Sequence, residues 1–189
     1  VVLHVSVETC TLHFQLGETT DVLVSNTLFA DGAAAYVLAS EGSGPAPGLA
    51  TIRGFYSAVA ANTTDQMAWN VGDHGFEMSL SQDVPDTLHA EAPSFVEHLC
   101  DQADVARNEL VGFAIHPGGR RVVEAIGEAL RLDEAGVASA LGVLRQHGNM
   151  SSATLGFVLR DEFARHVEGP IAALAFGPGL TMEGMVLQR

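Results

Sequence analysis

His116 and Asn149 are the residues of this 189-residue chain whose settings best suit chemistry. His116 follows the apolar run Leu110 to Ile115 and precedes Pro117, Gly118 and Gly119. That pattern reads as a strand, a tight turn and a helix, with the imidazole at the C-terminal end of a buried strand, where open α/β sheets put ligand-handling groups. The two glycines let the backbone approach a ligand with no Cβ in the way, and the following helix offers free N–H groups there. Asn149 sits between Gly148 and Met150-Ser151-Ser152, at a junction between two expected helices. Its carboxamide can donate a hydrogen bond to developing negative charge, as oxyanion-hole side chains do. Plainer readings stand beside these, a hydrogen-bonded structural histidine and an asparagine cap or left-handed turn residue, and the residues alone leave both open. Converging on one oxygen, the pair would stabilise an enolate or a tetrahedral intermediate beside a nucleophile.

That nucleophile is missing from the sequence pattern. Cys100 is expected at the C-terminal end of a helix beside Asp101, where the helix dipole and the carboxylate both raise a thiol pKa. Cys10 ends the first strand near Glu8 with no helix N-terminus around it, and reads as a lining residue. The other histidines, His4, His13, His74, His89, His98, His147 and His166, show no H-x-x-x-H or His/Cys ligand spacing, so no metal site is expected. No G-x-S-x-G elbow or phosphate-binding glycine loop occurs, which leaves a hydrolase built on His116, an Asp and Ser152 as the weakest reading.

The elements that must position these residues alternate between strand and helix, which argues for an α/β fold with packed layers. Val1 to Val7 reads as a buried strand already under way at the first residue, so the chain is expected to start mid-domain. A helix from Thr19 to Leu28, a turn at Asp31 and Gly32, and a buried strand from Ala33 to Ser40 follow. The Gly-, Pro- and Ser-rich segment Glu41 to Gly48 is the expected boundary between residues 1–48 and residues 49–189. Beyond it, strands are expected at Leu49 to Ala60 and Phe76 to Leu80, a helix at Val84 to Cys100, and helices from Val122 to Leu130, Leu132 to Gln146 and Met150 to His166. Ile171 to Phe176 and Met182 to Leu187 read as strands joined across Gly177, Pro178 and Gly179.

Composition narrows the function classes. With 47% apolar residues the chain can bury a domain-sized core. Nine Lys+Arg against 23 Asp+Glu give a formal charge of −14, with no basic stripe to meet phosphates, so nucleic acid is not an expected partner. No apolar run approaches the roughly 20 residues that cross a bilayer, and two cysteines make no disulfide framework; a cytoplasmic protein with no membrane partner is expected.

The strings HPGGR at His116, GNMSS at Asn149 and FGPGL at Phe176, with LFADGAAA from Leu28 and VGDHGF followed by SQDVP, resemble the C-terminal part of the type III polyketide synthases. This is the chalcone and stilbene synthase family, within the thiolase-like fold, and the resemblance covers essentially the whole chain. The HQAN and NTSAAS contexts of the ketoacyl synthases are absent. The resemblance implies the C-terminal half of a thiolase-like fold, a layered mixed sheet with helices packed on it. Residues 1–48 are then the tail end of the N-terminal half and residues 49–189 the C-terminal domain.

The activity implied is condensation of an acyl-CoA starter with malonyl-CoA by decarboxylative Claisen chemistry, followed by cyclisation, on a Cys–His–Asn triad. His116 and Asn149 fall on the family's His and Asn; the cysteine is expected in a half that precedes Val1, so Cys10 is not its counterpart. Phe29 and Phe76 fall on the gatekeeping phenylalanines, Ser151 on a residue shaping the cyclisation pocket, and Cys10, Leu12 and His13 on the cavity wall. Gly177 and Pro178 count as substrate-binding, with Ala175 replacing the first Gly of the usual loop and Ala30 the Gly of FGDG. Coenzyme A is expected near Gly118 and Gly119, assisted by Arg120 and Arg121. Coenzyme A thioesters are substrates, and no cofactor is implied. The stretch Met67 to Phe76 resembles the bacterial branch, whose members often make alkylresorcinols or alkylpyrones. A homodimer is expected. The alternative is a stand-alone folding or dimerisation module, catalytically silent for want of the nucleophilic Cys.

Overall fold

Strand β1 (Val2–Glu8) is followed by a 3-10 turn (Cys10–His13), helix α1 (Thr20–Leu28) and strand β2 (Gly32–Leu38). Strands β3 (Thr51–Val59), β4 (Met67–Gly72) and β5 (Gly75–Leu80) lead to helix α2 (Val84–Ala103) and strand β6 (Gly112–Ile115). Helices α3 (Arg120–Leu130), α4 (Glu134–His147) and α5 (Thr154–Ala164) precede strands β7 (Pro170–Gly177) and β8 (Thr181–Gln188). The computed structural model describes residues 1–40, 42–43, 48–73, 75–165 and 168–189. The expected boundary at Glu41 to Gly48 lies mostly outside those residues, as do His74 and His166.

The central sheet has the order β3-β8-β7-β6, parallel between β6 and β7 and antiparallel elsewhere. Strands β6 and β7 are buried on both faces, so they read as apolar runs with little polar alternation, whereas β3 at the edge alternates between exposed and half-buried residues. Successive side chains still divide by face. Phe113, Ile115, Ala172, Leu174, Met182 and Val186 pack with Leu88, Phe95 and Leu99 of α2 and with Val123 and Ile126 of α3. Ala114, Ala173 and Leu187 face Val143 of α4 and Val158 and Leu159 of α5. The result is helix, mixed sheet, helix, as the sequence leads one to expect. Burying Leu88, Leu99, Ile115, Ile126 and Leu174 contributes about 1.5–3 kcal/mol each.

Local chemistry sets the helix ends. The Asp133 carboxylate accepts the Gly136 N–H at 2.9 Å, capping α4. Pro85 sits in the first turn of α2, where its missing N–H costs nothing, and Asp104 ends that helix in the left-handed region at φ 52°.

Four expectations need correction. β1 and β2 form strands but are not buried: they pair only with each other, and Leu3, Val5, Val7 and Val37 remain 52–65% exposed. Asp31 and Gly32 make no turn. Gly32 opens β2 because a Cβ there would lie 2.5 Å from Met150 Sδ, and the Asp31 carboxylate instead binds the Thr11 backbone and hydroxyl. Strand β4 was not foreseen; Trp69, Asn70 and Val71 mix polar and apolar types without a clean period, and pairing with β5 decides their conformation. The helix expected from Met150 begins as a 3-10 turn, Ser151–Ala153, with Ser151 at φ 48°.

Candidate active site

His116 lies one residue past β6. Its N–H donates to the Leu174 carbonyl at 2.8 Å, extending the parallel pairing with β7, and its own carbonyl accepts the Gly118 N–H at 2.9 Å. These two bonds hold the turn that carries the imidazole. Burial pushes the His116 pKa down to about 4, because a charged ring would lose its hydration there. The ring is therefore neutral at physiological pH, with one N–H to give and no charge to neutralise.

Asn149 is fixed on every side. Its N–H donates to the Leu28 carbonyl and its carbonyl accepts the Ala30 N–H, both at 2.9 Å, so that Phe29 and Asn149 form an isolated parallel bridge. The residue is 4% exposed. Oδ1 accepts the Ser151 N–H at 2.9 Å and the Thr154 hydroxyl at 3.5 Å, while Nδ2 lies 3.5 Å from the Gly118 carbonyl oxygen. The donor end of the amide thus faces the turn that carries His116. Gly118 is the meeting point, since a Cβ built on it would also lie 3.9 Å from His116 Cδ2.

Five residues expected to bind substrate border one cavity of about 700 Å³: Phe29, Phe76, Ser151, Cys10 and His13. His13 meets Phe76 edge-on at 5.4 Å, and the Gln15 amide donates to the Phe76 carbonyl at 3.1 Å, so the β4–β5 hairpin closes onto the 3-10 turn. Asn149 adjoins this space through its neighbours Phe29 and Ser151. Leu12, on the same turn as Cys10, is 77% exposed and does not line the cavity. Gly177 and Pro178 do not line it either; they join β7 to β8 at the end of the sheet where His116 emerges.

Gly118 and Gly119 precede α3, and a Cβ on Gly119 would meet nothing within 4 Å. Arg120 is committed to Glu124 at 2.7 Å, one turn along the same helix, and Arg121 is exposed.

Both thiol pKa values are raised; for Cys100 this was expected, but its leading cause differs from the one expected. Burial is the first cause for each; Glu8 and Asp31 add to it at Cys10, and Asp101 and Glu97 at Cys100, where Arg107 acts in the opposite sense. Cys100 is not the terminal residue of its helix, because α2 continues to Ala103. Among the described residues no group of three His, Cys, Asp or Glu side chains is placed to hold a metal.

Three residues at the site went unnoticed in the sequence. Trp69 lines the cavity between Phe29 and Phe76, with ring centroids 5.6 and 6.4 Å away. As the only tryptophan in the chain it offered a signal, which the missed strand concealed. Glu8 reaches Ser152, accepting its N–H at 3.2 Å and its hydroxyl. Thr154 gave no signal, because a threonine at a helix start is common.

Residues 56–189 match the family model described as chalcone and stilbene synthases, C-terminal domain. The chain is 31% identical over 192 residues to an alpha-pyrone synthesis polyketide synthase-like protein of Mycobacterium tuberculosis, covering 97% of this chain and 48% of that one. It is 30% identical over 190 residues to a 1,3,6,8-tetrahydroxynaphthalene synthase of Streptomyces peucetius, covering 97% and 50%. The C-terminal type III polyketide synthase domain of Steely1, a type I/III hybrid from Dictyostelium, superposes with a TM-score of 0.89 at 30% identity, over 99% of this chain and 53% of that one. The chain therefore spans about half the length of the relatives it matches. With its mixed sheet between helices, its thiolase-like neighbours and a family match over most of its length, the chain belongs to the chalcone and stilbene synthase family and contains that family's C-terminal domain.

Proposed function

We propose that this chain supplies the His–Asn half of a decarboxylative condensation site, and that with a cysteine-bearing half it joins an acyl-CoA starter to malonyl-CoA as a type III polyketide synthase. The observation that carries this reading is the orientation of Asn149: Oδ1 is taken by the Ser151 N–H and approached by the Thr154 hydroxyl, which leaves Nδ2 toward the His116 turn. A thioester oxygen seated between a neutral imidazole and that amide would meet two donors and no competing charge. As carbon dioxide leaves malonyl-CoA, the electron pair of the broken C–C bond moves into the thioester carbonyl, and both donors strengthen as the oxygen becomes negative. The resulting enolate attacks the acyl group held on the cysteine of the other half, whose thiolate departs.

The substrate assignments follow from the same reading. Phe29, Phe76, Ser151, Cys10 and His13 form the surroundings of the growing chain, with Leu12, Gly177 and Pro178 outside that cavity, and the aromatic lining with Trp69 suits an alkyl starter and an alkylpyrone or alkylresorcinol product. Coenzyme A lies along Gly118 and Gly119 with Arg121 near its phosphates; the Arg120–Glu124 pair makes Arg120 the weaker contributor. We also propose a cytoplasmic homodimer, with residues 1–48 completing the other half. No helix among the described residues is long and apolar enough to cross a membrane.

The test is to supply the longer polypeptide carrying this chain with labelled malonyl-CoA and acyl-CoA starters of increasing length. Labelled pyrones or resorcinols are expected, with long acyl starters preferred. Acyl-CoA hydrolysis with no carbon–carbon bond formed would reject the reading.

A further inference from the structure

We infer that Thr154 is a positioning residue that holds Asn149 in the one orientation able to donate into the site; this rests on the donor role of Asn149 proposed above. Thr154 opens α5 and is fully buried. Its hydroxyl oxygen accepts the Met150 N–H at 2.7 Å and stands 3.5 Å from Asn149 Oδ1. A threonine hydroxyl carries one proton. With the backbone N–H directed at the oxygen, that proton is free to point at Oδ1, forming the relay Met150 N–H to Thr154 O–H to Asn149 Oδ1.

The relay matters because a carboxamide has two orientations of nearly equal shape. Turned over, Asn149 would set its NH2 against the Ser151 N–H and its oxygen against the Gly118 carbonyl, leaving buried groups unpaired. It would also present an acceptor where an oxyanion must form. The Ser151 N–H, which can only donate, excludes the turned form, and the Thr154 hydroxyl ties the oxygen so selected to the first residue of a rigid helix. Neither Ser151 nor Gly118 contributes a side chain to this arrangement, so Thr154 is where a substitution can reach it.

The experiment reads the amide without any substrate. In the 15N-labelled chain the Asn149 NH2 signals are identified by their loss in Asn149→Ala, and their exchange with water is measured in Thr154→Ser, Thr154→Val and Thr154→Ala. Slow exchange is expected in the unsubstituted chain and in Thr154→Ser, and exchange faster by about tenfold or more in the two variants lacking the hydroxyl. Equally slow exchange in Thr154→Val and in the unsubstituted chain overturns the inference. If both hydroxyl-free variants fail to fold, the Thr154 hydroxyl proton decides instead: a protected signal lost in Asn149→Ala supports the relay, and no protected signal overturns it. In the longer polypeptide, Thr154→Val is expected to lower kcat for malonyl-CoA decarboxylation about tenfold with KM unchanged, and Thr154→Ser to restore it. A rigid amide in a protein that never decarboxylates malonyl-CoA counts against the proposed function and leaves the positioning intact.

Discussion

In the proposed site two residues of ordinary types take their roles from their surroundings. His116 is neutral because burial holds its pKa near 4, and Asn149 is a donor because its oxygen is already engaged. Replacing Asn149 by Asp keeps the acceptor for the Ser151 N–H and removes the donor. Malonyl-CoA decarboxylation should fall by about 100-fold or more, measured as kcat, and the thermal midpoint should fall as well, because the new carboxylate oxygen meets the Gly118 carbonyl in a buried place. His116 also makes stability depend on pH. Its folded pKa lies below the ordinary 6.5, so between about pH 6.5 and 4 the unfolded chain binds a proton that the folded chain does not. Stability from this source is complete above the unfolded pKa, falls as pH drops through that window by about 3 kcal/mol, and levels below the folded pKa. In His116→Gln the fall in urea-unfolding free energy across the same window should be smaller by about that amount. The strand–turn context of His116 was legible in Leu110 to Gly119, whereas the orientation of Asn149 was not, because it depends on Gly118, 31 residues away, and on a threonine with no distinguishing pattern.

Elements explain why the turns meet. The β1–β2 ribbon lies against α5 at Gly156, where a Cβ would come within 2.5 Å of the Tyr36 hydroxyl and 2.6 Å of Ala34 Cβ. Gly156→Ala should therefore displace the ribbon and cost about 1–3 kcal/mol by denaturant unfolding, with faster amide exchange concentrated in β1 and β2. The helices were readable from the sequence because their apolar positions recur and their caps are explicit: Asp133 caps α4, and Val123, Ile126 and Leu130 share the buried face of α3. The strands were readable where both faces are buried, as in Ile171 to Leu174. Trp69 to Val71 escaped because the partners of β4 lie wholly in the next hairpin strand, and no local period marks it.

The molecule as a whole carries an open apolar face. Leu3 pairs with Val37, Val5 with Ala35 and Val7 with Ala33, and all six residues are exposed on one side of a two-stranded ribbon. A valine-rich segment such as Val1 to Val7 signals a strand covered by something, but the sequence does not state what covers it. We predict that the chain alone self-associates and binds an apolar dye on this face. Val5→Lys with Val37→Glu should abolish both effects in sedimentation and fluorescence measurements without lowering the thermal midpoint; dye binding unchanged by the pair would place the apolar surface elsewhere.

The carbonyl stretch of a bound, non-decarboxylating malonyl thioester analogue tests the convergence of the two donors most directly, measured in the longer polypeptide and in His116→Ala, Asn149→Ala and the double variant. A shift to lower frequency on binding is expected, reduced by each single change and absent in the double. A stretch that stays at its solution frequency, or one that responds to only one of the two residues, would contradict the shared site.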